Sequence, residues 1–162
     1  MEEKELEMHK KFLAEAVKLA QENVGTGRGG PFGAVIVKDG EIIARGSNQV
    51  LSTQDPTMHA EVSAIRQACA KLHSFDLKDC VIYSSCEPCP MCLGAIYWAR
   101  PKALYFAADQ HTAAKHGFDD KFIYDEIAVP VEERKIKTVC IALDNQERPF
   151  EQWTAKEDKV QY

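Results

Sequence analysis

The chain has 162 residues, 45% of them hydrophobic and 28% charged. That length suits one domain with a real core, and the composition excludes a disordered or fibrous chain. Twenty Lys and Arg stand against 25 Asp and Glu, a formal net charge of −5, which argues against a polyanionic partner and makes nucleic acid an unexpected ligand.

The acidic start, Met-Glu-Glu-Lys-Glu-Leu-Glu, lacks the basic and apolar segments of a secretory leader. No later stretch approaches the roughly 20 apolar residues that cross a bilayer. A cytoplasmic location with reduced cysteines and no membrane partner is the expectation. Residues 5–24 place Phe12, Leu13, Ala16, Val17 and Ala20 at helical spacing among charges. Gly25-Thr26-Gly27-Arg28-Gly29-Gly30-Pro31 ends that helix. This loop is a poor phosphate cradle, because it lacks the lysine and hydroxyl of a Walker loop and no strand precedes it.

Residues 34–37 and 41–44 flank Lys38-Asp39-Gly40 and read as a hairpin, since Asp-Gly is a strong turn signal. A polar loop, 47–57, leads to a helix from about 59 to 72, whose Val62, Ile65, Ala68, Cys69 and Leu72 recur at three and four. Residues 80–83 read as a short buried strand, 89–99 as a helix and 103–107 as the next strand. Residues 138–142 also read as a strand, and 150–162 as a polar helix or arm. Strand–helix–strand order with short links implies parallel strands under covering helices, in a single α/β domain spanning 1–162.

Two short segments carry chemistry. His59-Ala60-Glu61 and Pro88-Cys89-Pro90-Met91-Cys92 each fall at a helix start. Cysteines three apart there share one face, and the helix N-terminus favours their thiolates. With His59 they make three ligands for zinc and leave a fourth position open, the mark of a catalytic rather than a structural site. Water activated there needs a proton carrier, and Glu61 is the candidate, provided that His59 sits at the helix edge rather than inside it. Alone, a His-x-Glu is most often a plain helix start, and a lone Cys-x-x-Cys is as readily redox-active or half of a structural site. Cys86, Cys89 and Cys92 also form a C-x-x-C-x-x-C run, but the fourth ligand of a ferredoxin cluster would fall at Ile96. Cys86 reads as a packed residue ending its strand, Cys69, Cys80 and Cys140 as core, and His9, His73, His111 and His116 as solvated or loop residues.

His-Ala-Glu with Pro-Cys-x-x-Cys resembles the signature of the zinc nucleobase and nucleoside deaminases. The resemblance implies a three-layer α/β/α cytidine-deaminase fold with a mixed central sheet of about five strands. Within that superfamily the chain looks most like the short bacterial guanine deaminases. Gly29-Gly30-Pro31-Phe32-Gly33, the run from Ser85 through Arg100, Gly117-Phe118-Asp119-Asp120, and Phe150, Trp153 and the final Tyr162 carry that likeness. It implies hydrolysis of guanine to xanthine and ammonia with one zinc per subunit, in a homodimer exchanging an arm of about 144–162. Carried over by position, Phe32 stacks on the purine, Asn48 bonds to it, Asp120 faces its polar edge, and Tyr162 caps the site from the other subunit. The plainer readings are core for Phe32, a turn for Asn48, a helix cap for Asp120 and a frayed end for Tyr162. Close alternatives are a tRNA adenosine deaminase and a cytosine deaminase. A non-enzymatic zinc-stabilised module is the third, which would not need Glu61.

Overall fold

The amphipathic N-terminal stretch forms one helix, α1 (Glu3–Val24), in a computed structural model that describes residues 2–162. Phe12, Ala16, Ala20 and Asn23 share its buried stripe with His9. His9 is therefore not the solvated residue expected. Its Nδ1 lies 2.8 Å from the Tyr83 hydroxyl, and its ring stacks on Tyr105 at 3.9 Å.

The hairpin forms as anticipated, with β1 (Gly33–Lys38) antiparallel to β2 (Glu41–Ser47). Asp39 and Gly40 both take positive φ, 50° and 78°, the turn type whose twist matches paired strands. A short α2 (Val50–Thr53) precedes α3 (Ala60–Leu72). Then come β3 (Cys80–Cys86), α4 (Pro90–Ala99), β4 (Ala103–Ala108) and α5 (Gln110–Lys115). The strand order is β2-β1-β3-β4. β1 runs antiparallel to β3, whereas the α4 crossover makes β3 and β4 parallel. The sheet is mixed as expected, with four strands rather than about five.

Helices cover both faces of this sheet. On one, α1 packs on Val35, Val37 and Tyr83 through Phe12. On the other, Ala60, Ala64 and Ala68 of α3 lie against Ala34, Ile36, Ala44 and Ile82, joined by Ile96 and Ala99 of α4. The alanine stripe lets α3 lie close. Gly46 on β2 makes the closest approach possible, because a Cβ there would sit 2.2 Å from the Ala60 carbonyl oxygen. Ala60 stands between His59 and Glu61, so this contact sets the height of the helix start above the sheet.

The chain divides into two compact units, Met1–Asp120 and Lys121–Tyr162. The second contains α6 (Lys121–Ala128), a 3-10 turn at Val131–Glu133 and α7 (Arg148–Ala155). Residues 138–142, expected as a strand, form none. A strand needs a neighbour to satisfy its backbone, and this unit has no other strand among the described residues. Cys140 is accordingly exposed rather than core. Tyr162 sets its ring edge-on to Trp153 at 6.4 Å.

Candidate active site

Two helix starts bring the expected ligands together. His59 is the N-cap of α3 at φ −72°, ψ 163°, and Cys89 the N-cap of α4 at φ −64°, ψ 168°. Both are extended residues just outside their helices, and Pro90 opens α4 where its missing N–H costs nothing. Cys92 lies one turn in, fully buried. His59 Nδ1 is 3.6 Å from Cys89 Sγ and 3.5 Å from Cys92 Sγ, and all three ligand atoms lie within 4.8 Å of one another. A tetrahedral zinc with Zn–S of about 2.3 Å and Zn–N of about 2.0 Å separates sulfur from nitrogen by about 3.5 Å. The three side chains fit a zinc ion.

Side by side, the three groups shift one another's ionisation. The Cys92 thiol donates to Cys89 and, against the opposing effect of burial, holds the Cys89 thiol down at about 4, with His59 adding to the effect. The same bond pushes Cys92 upward, as does burial. Hydrogen bonding to Cys89 raises His59. Two thiolates this close ionise together only around a cation.

Glu61 is buried, and its position requires His59 to be outside the helix, as it is. Its Oε1 accepts from the Ser84 hydroxyl at 3.0 Å, and its Oε2 lies 3.3 Å from Cys92 Sγ. Burial raises the carboxyl above the ordinary carboxylate range, and hydrogen bonding, first to its own backbone and then to its neighbours, pulls partly against it. A carboxyl so placed is within reach to move a proton at these groups.

Asn48 makes both a local turn contact and a longer-range one. It is buried, and its Oδ1 accepts from the backbone N–H of Gly30 and of Val50, each at 3.2 Å. Because both partners are donors, the amide orientation is fixed, and among the described residues nothing accepts from Nδ2. Gly29 permits this arrangement, since a Cβ there would lie 2.0 Å from Asn48 Oδ1. The Asn48 N–H donates to the Phe32 carbonyl at 3.2 Å, coupling the two residues. Phe32 rests at the edge of the core, edge-on to Phe118 at 5.0 Å. Asp120 is half-buried. Burial raises its carboxyl, and the charge of Cys89 adds to that, which puts it in the field of the cysteine pair. Tyr162 belongs to the second unit. A cavity of about 340 Å³, lined by Val17, Ala20, Phe32, Cys86, Ala113 and Phe118, does not reach His59, Cys89 or Cys92.

Two contributing residues escaped the sequence reading. Ser84 occupies a core-facing position in an apolar strand, and Asn23 continues the buried stripe of α1. A polar residue on a buried face was the signal in each case.

Residues 6–108 match the cytidine and deoxycytidylate deaminase zinc-binding region. The chain belongs to this deaminase family. The deaminase is also 57% identical to guanine deaminase of Bacillus subtilis over 154 residues, 95% of this chain and 99% of that one. An X-ray structure of guanine deaminase from Bacillus subtilis matches it with a TM-score of 0.93, covering 95% of this chain and 98% of the other. The tRNA-specific adenosine deaminase of Aquifex aeolicus is 44% identical over 88 residues, 54% of this chain and 56% of that one. Among the described residues no helix is long and apolar enough to cross a membrane.

Proposed function

We propose that this deaminase hydrolyses guanine to xanthine and ammonia, in purine catabolism or salvage. The observation that carries the reading is the extent of the likeness to guanine deaminase. It runs nearly the length of both chains, whereas the tRNA-acting relative shares about half.

His59, Cys89 and Cys92 hold one zinc. When bound, zinc makes water acidic enough to act as a nucleophile near neutral pH. Glu61 takes a proton as water adds to the purine carbon that carries the amino group. It then returns the proton to the exocyclic nitrogen, which leaves as ammonia. Phe32 stacks on the ring, and the Asn48 Nδ2 donor meets a purine acceptor. Asp120 accepts from the polar edge of the base. A zinc-stabilised module without activity is disfavoured by Glu61, a buried carboxyl that ligation does not require.

The protein acts as a homodimer that exchanges its C-terminal segment, about 144–162, so that Tyr162 of the partner subunit caps the base. Supporting this, Ile141 is 78% and Phe150 74% exposed, and residues 138–142 form no strand. Apolar surface on that scale is seldom left in water. A reducing, cytoplasmic setting suits six free cysteines.

Ammonia release from a panel of guanine, adenine, cytosine and a tRNA anticodon stem-loop tests the assignment. Guanine should be turned over well ahead of the others; preference for the tRNA substrate overturns it.

A further inference from the structure

Ser84 lies on β3, between Ala34 of β1 and Phe106 of β4. Side chains alternate across a strand, so Ser84 shares a face with Cys80 and Ile82, which pack in the core beneath α3. It is 1% exposed. A hydroxyl there is poorer than a methyl group unless it has a partner. Its partner is Glu61 Oε1, 23 residues away, at 3.0 Å. The neighbouring Ser85 has a structural task, accepting from the Gly33 N–H at 3.0 Å.

We propose that Ser84 is a positioning residue for the reaction, anchoring one oxygen of Glu61 so that the other faces the zinc ligands. The proposal rests on the reading of Glu61 as the proton carrier. Both ends of the bond are rigid. Ser84 sits on a strand paired on both sides, and Glu61 lies in the first turn of a helix held down at Gly46. The carboxylate's remaining freedom is rotation about its last bond. The hydroxyl removes it, because Oε1 is engaged on the sheet side while Oε2 lies 3.3 Å from Cys92 Sγ. Preset orientation matters because proton transfer requires hydrogen-bond reach of the reacting atom.

Four variants decide the question: Ser84→Ala, Ser84→Thr, Ser84→Val and Glu61→Gln. Each is measured for zinc content, melting temperature, kcat and KM with guanine. Ser84→Ala should keep its zinc and its KM while kcat falls about tenfold or more. Its crystal structure should show the Glu61 carboxylate rotated or in two orientations. Thr and Val have the same shape and differ in the hydroxyl, so Ser84→Thr should be faster than Ser84→Val. Unchanged kcat in Ser84→Ala, loss of its zinc, or Ser84→Val as fast as Ser84→Thr overturns the proposal. If Ser84→Ala is normal while Glu61→Gln is slow, only the positioning role falls. Near-normal turnover by Glu61→Gln removes the proton-carrier reading itself.

Discussion

The side-chain amide of Asn23 donates to the backbone carbonyl of Asn48 at 2.9 Å, tying the end of α1 to the residue after β2. The same nitrogen donates to the Gly30 carbonyl at 2.9 Å. One buried amide thus holds both the glycine-rich loop and the residue proposed to read the purine.

Replacing Asn23 with Ala leaves two inward-facing carbonyls without their donor. A loss of about 1–3 kcal/mol in stability is expected. In a chain of this size each kcal/mol lowers Tm by about 2–4 °C. Because Asn48 and Phe32 are linked through their backbones, KM for guanine should rise more than kcat falls. Thermal melting and steady-state kinetics check both; a destabilised variant with unchanged KM would show that the tether serves folding alone.

Glu61→Gln keeps the shape of the side chain and removes its proton-carrying capacity. Zinc content should stay at one per chain, since the three ligands are untouched. Turnover should fall on the order of 10²-fold or more, the scale of general acid–base catalysis. Metal analysis beside single-turnover rates tests this, and a variant that loses zinc would instead make Glu61 part of the metal site.

Deleting Tyr162 should raise KM for guanine several-fold, because the proposed cap is lost while zinc and Glu61 remain. Mixing this variant with a Glu61→Gln variant tests whether the cap acts between subunits. A mixed dimer that exchanges C-terminal segments has one site with both Glu61 and a partner tyrosine, so low-KM turnover should return. Unaltered kinetics in the deletion variant would remove Tyr162 from the site.

His59, Cys89, Cys92 and Glu61 were legible in the sequence because their chemistry is local. Ligand type and spacing follow from order along the chain, and a helix start is written in its flanking residues. The Asp39-Gly40 turn and the near-continuous buried runs of β1 and β3 are local in the same sense. Residues 138–142 show where local reading ends. Their strand-like composition is real, but a strand exists only beside another, and their unit supplies none. His9 and Cys140 were misassigned for the same reason, since burial depends on what folds over a residue.

Tertiary structure alone decided how the reactive groups are held. It brought two helix starts, 30 residues apart in sequence, to a separation of 3.6 Å between Cys89 Sγ and His59 Nδ1. It also set Ser84 beneath Glu61 and Asn23 beneath Asn48. Those pairings depend on the order of strands in the sheet and on the face each helix covers. Non-local packing selects both, through the small residues Gly46, Ala60 and Ala64 that allow α3 to lie close. The residue types able to do the chemistry are a property of the sequence; their distances and orientation are a property of the packed sheet.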